Sequence, residues 1–251
     1  MSLKLYVKSL TFKNRIDKIS NFLNAEVIDK EPLWDKEDVF LVFDSDCMYL
    51  KFPARNFDFK LDLFHIKPKN NIPLLKAIGK KRQVVFDLTA GFGKDSWILA
   101  SFGHSVVAFE KNKLAYLIFN EALSRAKLYF SQIPLRIRTI CGDSLNFLKD
   151  FFKIQKTLLL PWPDVIYIDP FLPSKSIEKR LPKKYIQALR TIGHNESNEI
   201  ELIKNALKIA KKRVVVKRAP KFKAPLGDPN FSVKGKSVVF DVYLTQNEFL
   251  Q

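Results

Sequence analysis

From residue 70 onward the sequence alternates short apolar runs with segments of helical spacing, the pattern of a parallel β-sheet whose strands are joined by crossover helices. The spacing predicts strands at 83–88, 105–109, 135–141, 165–168, 213–217 and 238–245, with helices near 95–102, 111–129, 144–153 and 198–210. The last strand follows a loop with no helical pattern, so it is expected to run antiparallel. An open α/β sheet takes its ligand beyond the carboxyl ends of its strands. Residues 1–68 read differently: the runs "LKLYVKSL", "DVFLVF" and "CMYLKF" accompany one helical stretch near 13–23, and "FDSD" reads as a hairpin turn. They are expected to form a small α+β domain ahead of an α/β domain at 69–251.

The first strand of that second part breaks in "VVFDLTAGFGKDSW" into a glycine turn and restarts as a helix. With only 8 glycines in 251 residues, Gly91 and Gly93 two positions apart are informative. Such a turn lets a ligand approach the backbone at a helix N-terminus. It is not a P-loop, because Leu88 stands where the first glycine is needed and Asp95 follows Lys94 in place of Ser or Thr. A dinucleotide fingerprint would need a third glycine where Ser96 stands, which weakens a nicotinamide-dependent oxidoreductase without removing it.

The residues at the strand ends narrow the ligand. Asp87 closes the first strand, Glu110 the second, Asp143 of "CGDS" the third and Asp169 of "YIDPF" the fourth. Glu110 is suited to two ribose hydroxyls and Asp143 to an adenine amino group. Singly, each carboxylate is more simply a helix cap or turn former; Asp143 precedes a helix and Glu110-Lys111 opens one. Together they would repel a pyrophosphate and suit a cationic nucleoside, S-adenosylmethionine (SAM), which carries an ammonium and a sulfonium.

"Asp-Pro-Phe" adds a reaction type. The Asp169 carboxylate and the Pro170 carbonyl can accept both N–H bonds of an exocyclic amine, turning its lone pair toward a methyl donor, while Phe171 offers an aromatic face for an extruded base. A pyrimidine C5 methyltransferase would need a cysteine nucleophile, and none lies near Pro170.

A formal charge of +17 points to a polyanionic partner, nucleic acid first. Lys175, Lys179, Arg180, Lys183 and Lys184 follow Asp169, and Lys217 and Arg218 close the fifth strand; all are candidates for gripping phosphates, against the plainer reading of a solvated surface. The two cysteines and three histidines show no zinc spacing, and Cys47 and Cys141 are expected to be reduced core residues. The start of the sequence lacks a signal-peptide pattern, and "LLLPWPDVIYIDPFLP" is too interrupted by proline and aspartate to cross a membrane. A cytoplasmic protein is expected.

The segments "DLTAGFGKDSWILASFG", "AFEKN", "CGDSL", "DVIYIDPFLPSK", "RVVVKRAP" and "FDVYL", in order over residues 70 to 245, resemble the RsmJ family of SAM-dependent 16S rRNA (guanine-N2)-methyltransferases. The resemblance implies a Rossmann-like class I SAM-dependent methyltransferase sheet, and cofactor contacts at Lys94-Asp95, Glu110-Lys111, Asp143-Ser144 and Asp169. It also implies a monomer that methylates a guanine amine near the 3′ end of 16S rRNA, at guanine 1516. Three features depart from the family pattern: Lys94 replaces the usual arginine, the aromatic Phe171 comes one residue early, and the stretch before the domain matches only loosely at His65, Lys67 and Lys69. An amine methyltransferase acting on DNA adenine or another rRNA base stays open from the residues alone.

Overall fold

The structure is a computed structural model and describes residues 3–8, 13–30, 32, 39–45, 47–66, 72–170, 184–193 and 198–245. The N-terminal part is a five-stranded sheet in the order β2-β1-β3-β4-β5. It is built from β1 (Leu3–Val7), α1 (Lys13–Leu23), β2 (Glu26–Ile28), β3 (Val39–Phe43), β4 (Met48–Phe52) and β5 (Phe57–Phe59). β1 runs parallel to β2 and β3, and β3, β4 and β5 form an antiparallel meander. β3 is buried at all five positions, whereas β4 alternates buried and half-buried side chains. The turn expected at "FDSD" joins them: Asp44 N–H donates to the Cys47 carbonyl at 3.0 Å, and the Asp44 carboxylate accepts from Ser45 N–H at 2.8 Å. Cys47 is buried beside this turn, and Cys141 is half-buried.

The second sheet has seven strands in the order β11-β12-β10-β9-β6-β7-β8. Its elements are α2 (Pro73–Ile78), β6 (Val84–Asp87), α3 (Lys94–Ser101), β7 (Ser105–Glu110), α4 (Lys113–Ala126), β8 (Ile137–Cys141), α5 (Ser144–Lys149), α6 (Phe151–Thr157), β9 (Val165–Ile168), α7 (Lys184–Ile192), α8 (Glu199–Ile209), β10 (Arg213–Arg218), β11 (Phe231–Lys234) and β12 (Val239–Leu244). Strands β8, β7, β6, β9 and β10 are parallel, and β12 is antiparallel to both β10 and β11, as expected of the last strand. This is the α/β, Rossmann-like sheet read from the sequence. β9 is buried along its whole length, which is why "VIYI" carries no alternation.

The differences from the expected elements have local causes. The helix expected over 144–153 is two helices, α5 and α6, that meet at Asp150 in a non-helical conformation. α4 begins at Lys113 because the Asn112 side chain accepts from the amides of Leu114 and Ala115, capping the helix. β8 begins at Ile137 because Pro134–Arg136 forms a 3₁₀ turn. β11 has no place among the expected strands because its run, "FSVK", is only four residues long and largely exposed. The two sheets contribute to one hydrophobic cluster, in which Leu41, Leu50 and Phe59 join Val85, Trp97 and Phe119.

The glycine turn between β6 and α3 is fixed by that packing. Gly93 caps α3 with φ +73°, and a Cβ there would lie 2.0 Å from two ring carbons of Phe119 on α4. The space on the Cβ side of Gly93 is therefore taken by a core phenylalanine. Gly93→Ala combines a left-handed backbone with overpacking and is expected to lower stability by about 2–4 kcal/mol. Denaturant unfolding checks this, and pairing the change with Phe119→Leu should recover the steric part. An unchanged midpoint in Gly93→Ala would remove the contact from the folding argument.

Candidate active site

A cleft of about 710 Å³ opens beyond the carboxyl ends of β6, β9 and β10, beside the point where the chain reverses between β6 and β9. Asp87, Gly91, Lys94, Asp95, Asp169, Pro170 and Lys217 line it. A smaller recess of about 260 Å³ lies on the N-terminal sheet against Phe57 and Lys184, away from every strand-end carboxylate. Lys184 belongs to that recess, with its ammonium 5.9 Å from the Phe57 ring.

One ammonium organises the main cleft. Lys217 Nζ lies 2.7 Å from Asp169 Oδ2 and 2.9 Å from Asp95 Oδ2, and the Tyr167 hydroxyl donates to the same Asp95 oxygen at 2.7 Å. Asp169 is further held by its backbone N–H, which donates to Thr89 Oγ1 at 2.7 Å. Behind them Asp87 accepts from Ser96 Oγ at 2.6 Å and from Thr89 N–H at 3.2 Å. Burial works against a charge on Asp95, but Lys217 and the Tyr167 hydroxyl outweigh it and hold that carboxyl below its ordinary range. Asp169 is shifted upward by burial, with Asp95 adding to the effect and Lys217 opposing it. Burial also opposes the charge on Lys217, which its two carboxylates raise well above the ordinary lysine value.

The remaining expected contacts form a second group. Glu110 is buried: Oε2 accepts from Gly91 N–H at 2.6 Å and Oε1 from Asn112 N–H at 2.7 Å. It braces the glycine turn from behind, and burial pushes its carboxyl up against the pull of those amides. Asp143 caps α5, with Oδ1 accepting from Leu145 N–H at 2.9 Å, and its Oδ2 lies 2.7 Å from Lys111 Nζ. Burial notwithstanding, Lys111 and the helix amides hold the Asp143 carboxyl below its usual value. Ser144 is buried at the start of α5.

Two of the basic residues expected to grip phosphates have internal partners. Lys217 is committed to two carboxylates inside the cleft, and Arg218 is clamped on Asp241, with Nη2 3.1 Å from Oδ1. Neither offers an uncompensated charge to an RNA phosphate. Phe171, Lys175, Lys179, Arg180 and Lys183, together with Lys67 and Lys69, lie outside the described residues. The structure adds Thr89, Ser96 and Tyr167, which reasoning on strand ends had passed over. A tyrosine in the otherwise aliphatic, buried "VIYI" was the available signal.

The strand-end carboxyls are the feature of the cleft suited to a cationic nucleoside. The amides of Leu88, Thr89, Ala90, Gly91 and Gly93 are all committed, to Tyr167 O, Asp87, Phe109 O, Glu110 and Ala90 O respectively. The turn before α3 is thus held by the core, while the first amides of α3 carry no side-chain cap. Asp87, Asp95 and Asp169 lie together on one wall, and such carboxyls are suited to an ammonium and a sulfonium, while Lys60, Lys94, Arg190 and Lys221 also line the cleft.

Asp87 yields a stability prediction. Burial, reinforced by Asp95 and Asp169 and opposed by the Ser96 hydroxyl, raises its pKa to about 7. The folded chain then binds more protons than the unfolded chain between about pH 4 and about pH 7, so Asp87's contribution makes stability fall as pH rises through that window and level off above it. Asp87→Asn can keep both hydrogen bonds and lacks the titration. In urea unfolding, the variant should gain on the parent chain as pH rises across the window and keep the gain above it. A difference independent of pH would return Asp87 to an ordinary ionised carboxylate.

Comparison with known proteins agrees with this geometry. The family model described as "Putative SAM-dependent methyltransferase" matches residues 48–245. The ribosomal RNA small subunit methyltransferase J of Buchnera aphidicola subsp. Schizaphis graminum is 36% identical over 189 residues, covering 72% of this chain and 71% of that protein. The protein of the same name from Legionella pneumophila strain Paris is 38% identical over 162 residues, 64% of this chain and 63% of its own length. In that second alignment the chain thus spans less than two thirds of its relative. A SAM-dependent methyltransferase from Neisseria gonorrhoeae shares the fold, with a TM-score of 0.74 at 23% identity over 97% of this chain and 96% of that one. No described helix is long and apolar enough to cross a membrane. With its glycine turn, its strand-end carboxyls and this similarity, the chain belongs to the SAM-dependent methyltransferases of the RsmJ family.

Proposed function

We propose that this chain transfers a methyl group from SAM to the exocyclic N2 of a guanine in 16S rRNA, acting as a monomer in the cytoplasm. The observation that carries the reading is Asp169-Pro170 at the end of β9, on the wall of the cleft and anchored by Lys217 and Thr89. The names of the Buchnera and Legionella relatives support small-subunit rRNA as the substrate.

SAM supplies an electrophilic methyl group on a sulfonium. The rest is the work of the chain. Asp87, Lys94, Asp95 and Gly91 form the wall that would hold the cofactor's methionine portion. Glu110 fixes the turn and keeps a second lone pair on each oxygen for ribose hydroxyls, while Asp143, Lys111 and Ser144 flank the adenine end. Lys217 occupies Asp169 Oδ2, which leaves Oδ1 to accept one N–H of the guanine amine while the Pro170 carbonyl accepts the other. Holding both N–H bonds turns the nitrogen lone pair out of the ring and stabilises the charge that develops on it. Oδ1 then receives the proton that the alkylated nitrogen sheds, and the upward shift of the Asp169 pKa suits it to that role. Lys175, Lys179, Arg180 and Lys183 follow this motif in the sequence and supply charge for the phosphates flanking the target.

The direct test is transfer of labelled methyl to small-subunit rRNA from cells lacking this protein, with the product nucleoside identified by mass spectrometry. N2-methylguanosine is expected; another methylated base, or none, would overturn the assignment. Glu110→Ala should weaken SAM binding by about 1.5–3 kcal/mol, because it removes charge-assisted bonds. Isothermal titration at fixed salt measures this, and unchanged affinity in a folded variant would take Glu110 out of the site. Asp169→Asn should lower the single-turnover rate by about 10²–10³-fold at saturating SAM with RNA affinity little changed. A parent-like rate would remove Asp169 from amine orientation.

A further inference from the structure

We infer that Phe222 is the stacking surface for the target base, set in place by the Arg218–Asp241 pair; the inference rests on the RNA methyltransferase reading above. Three described aromatic residues line the cleft: Phe59, Tyr167 and Phe222. Phe59 is buried with its ring 4.7 Å from that of Phe92, and Tyr167 is fully buried with its hydroxyl on Asp95. Phe222 is 37% exposed, and it shares the cleft with Asp169 and Pro170. An amine aimed at the Asp169-Pro170 acceptors belongs to a flat base taken out of its stack, and such a base needs a ring to replace the neighbours it has left.

The turn that carries this ring is clamped. Phe222 N–H donates to the Ala219 carbonyl at 3.1 Å, and Arg218 Nη1 donates to the Phe222 carbonyl at 2.7 Å. The same guanidinium pairs through Nε and Nη2 with Asp241, which is wholly buried on β12 and also accepts from Ser232 Oγ at 2.6 Å. Desolvating such a pair cancels much of its attraction, so its main effect is to fix where the turn after β10 goes rather than to add stability. Lys221 Nζ lies 5.1 Å from the Phe222 ring centroid, so an RNA strand entering here meets a ring and a cation together.

Steady-state methylation of unmodified small-subunit rRNA by the full chain tests this. Phe222→Ala should raise KM for RNA by about 10- to 100-fold, the range that loss of one base–aromatic stack produces, with SAM affinity by titration unchanged. Phe222→Trp should restore KM to within a few-fold of the parent value, and Phe222→Leu, which keeps apolar bulk without a π-face, should not. Arg218→Met should raise the same KM, and should add little when combined with Phe222→Ala. An active parent enzyme with parent-like KM in Phe222→Ala, or with Leu as effective as Trp, overturns the stacking role. A parent chain that makes no N2-methylguanosine overturns the functional reading beneath it.

Discussion

The ammonium of Lys217 is the interaction on which the cleft depends. Two carboxylates, Asp95 at the start of α3 and Asp169 at the end of β9, converge on it, and a third, Asp87, stands buried behind them. Without that central charge the carboxylates would repel one another in a place where water screens them only in part. With it, one oxygen of Asp169 is fixed and the other is left for a substrate. The same contact joins β10 to the elements on either side of the chain reversal, so the site's electrostatics and the sheet's topology hold each other in place.

The rest of the wall follows from backbone accounting. A glycine turn at a helix N-terminus is commonly a phosphate site because its amides are unpaired. Here the amides of Gly91, Ala90, Leu88 and Gly93 are spent on Glu110, Phe109, Tyr167 and Ala90, no side chain caps the first amides of α3, and the Phe119 ring fills the space where a side chain at Gly93 would go. The turn is therefore held from the core side and leads into an uncapped helix start.

Charge on this protein divides into two kinds. The excess of +17 acts at long range and favours a polyanion. Lys217 and Arg218, adjacent at the end of β10, are bound to carboxylates and act at short range as fixings. Adjacent cations on one strand point to opposite faces of a sheet, so one reaches the cleft and the other reaches β12. The sequence shows two neighbouring positive residues, and only their surroundings separate their roles.

What the sequence determined by itself is the order of elements and the carboxylates that close the strands. Apolar runs such as "VVFD" and "VIYI" have to be buried, and crossover helices between them impose a parallel sheet, so Asp87, Glu110, Asp143 and Asp169 were bound to gather at one edge. Spacing could not say which of them face a common space. Glu110 and Asp143 turn to backbone amides, as the simpler capping and helix-start readings allowed, while Asp95 and Asp169 meet a lysine that is 122 and 48 residues away in the chain. The exposed β11, the clamp of Arg218 on Asp241 and the placement of Phe222 in the cleft were equally out of reach. Each depends on contacts between distant segments, and local periodicity records only whether a position is buried, not which side chain it is buried against.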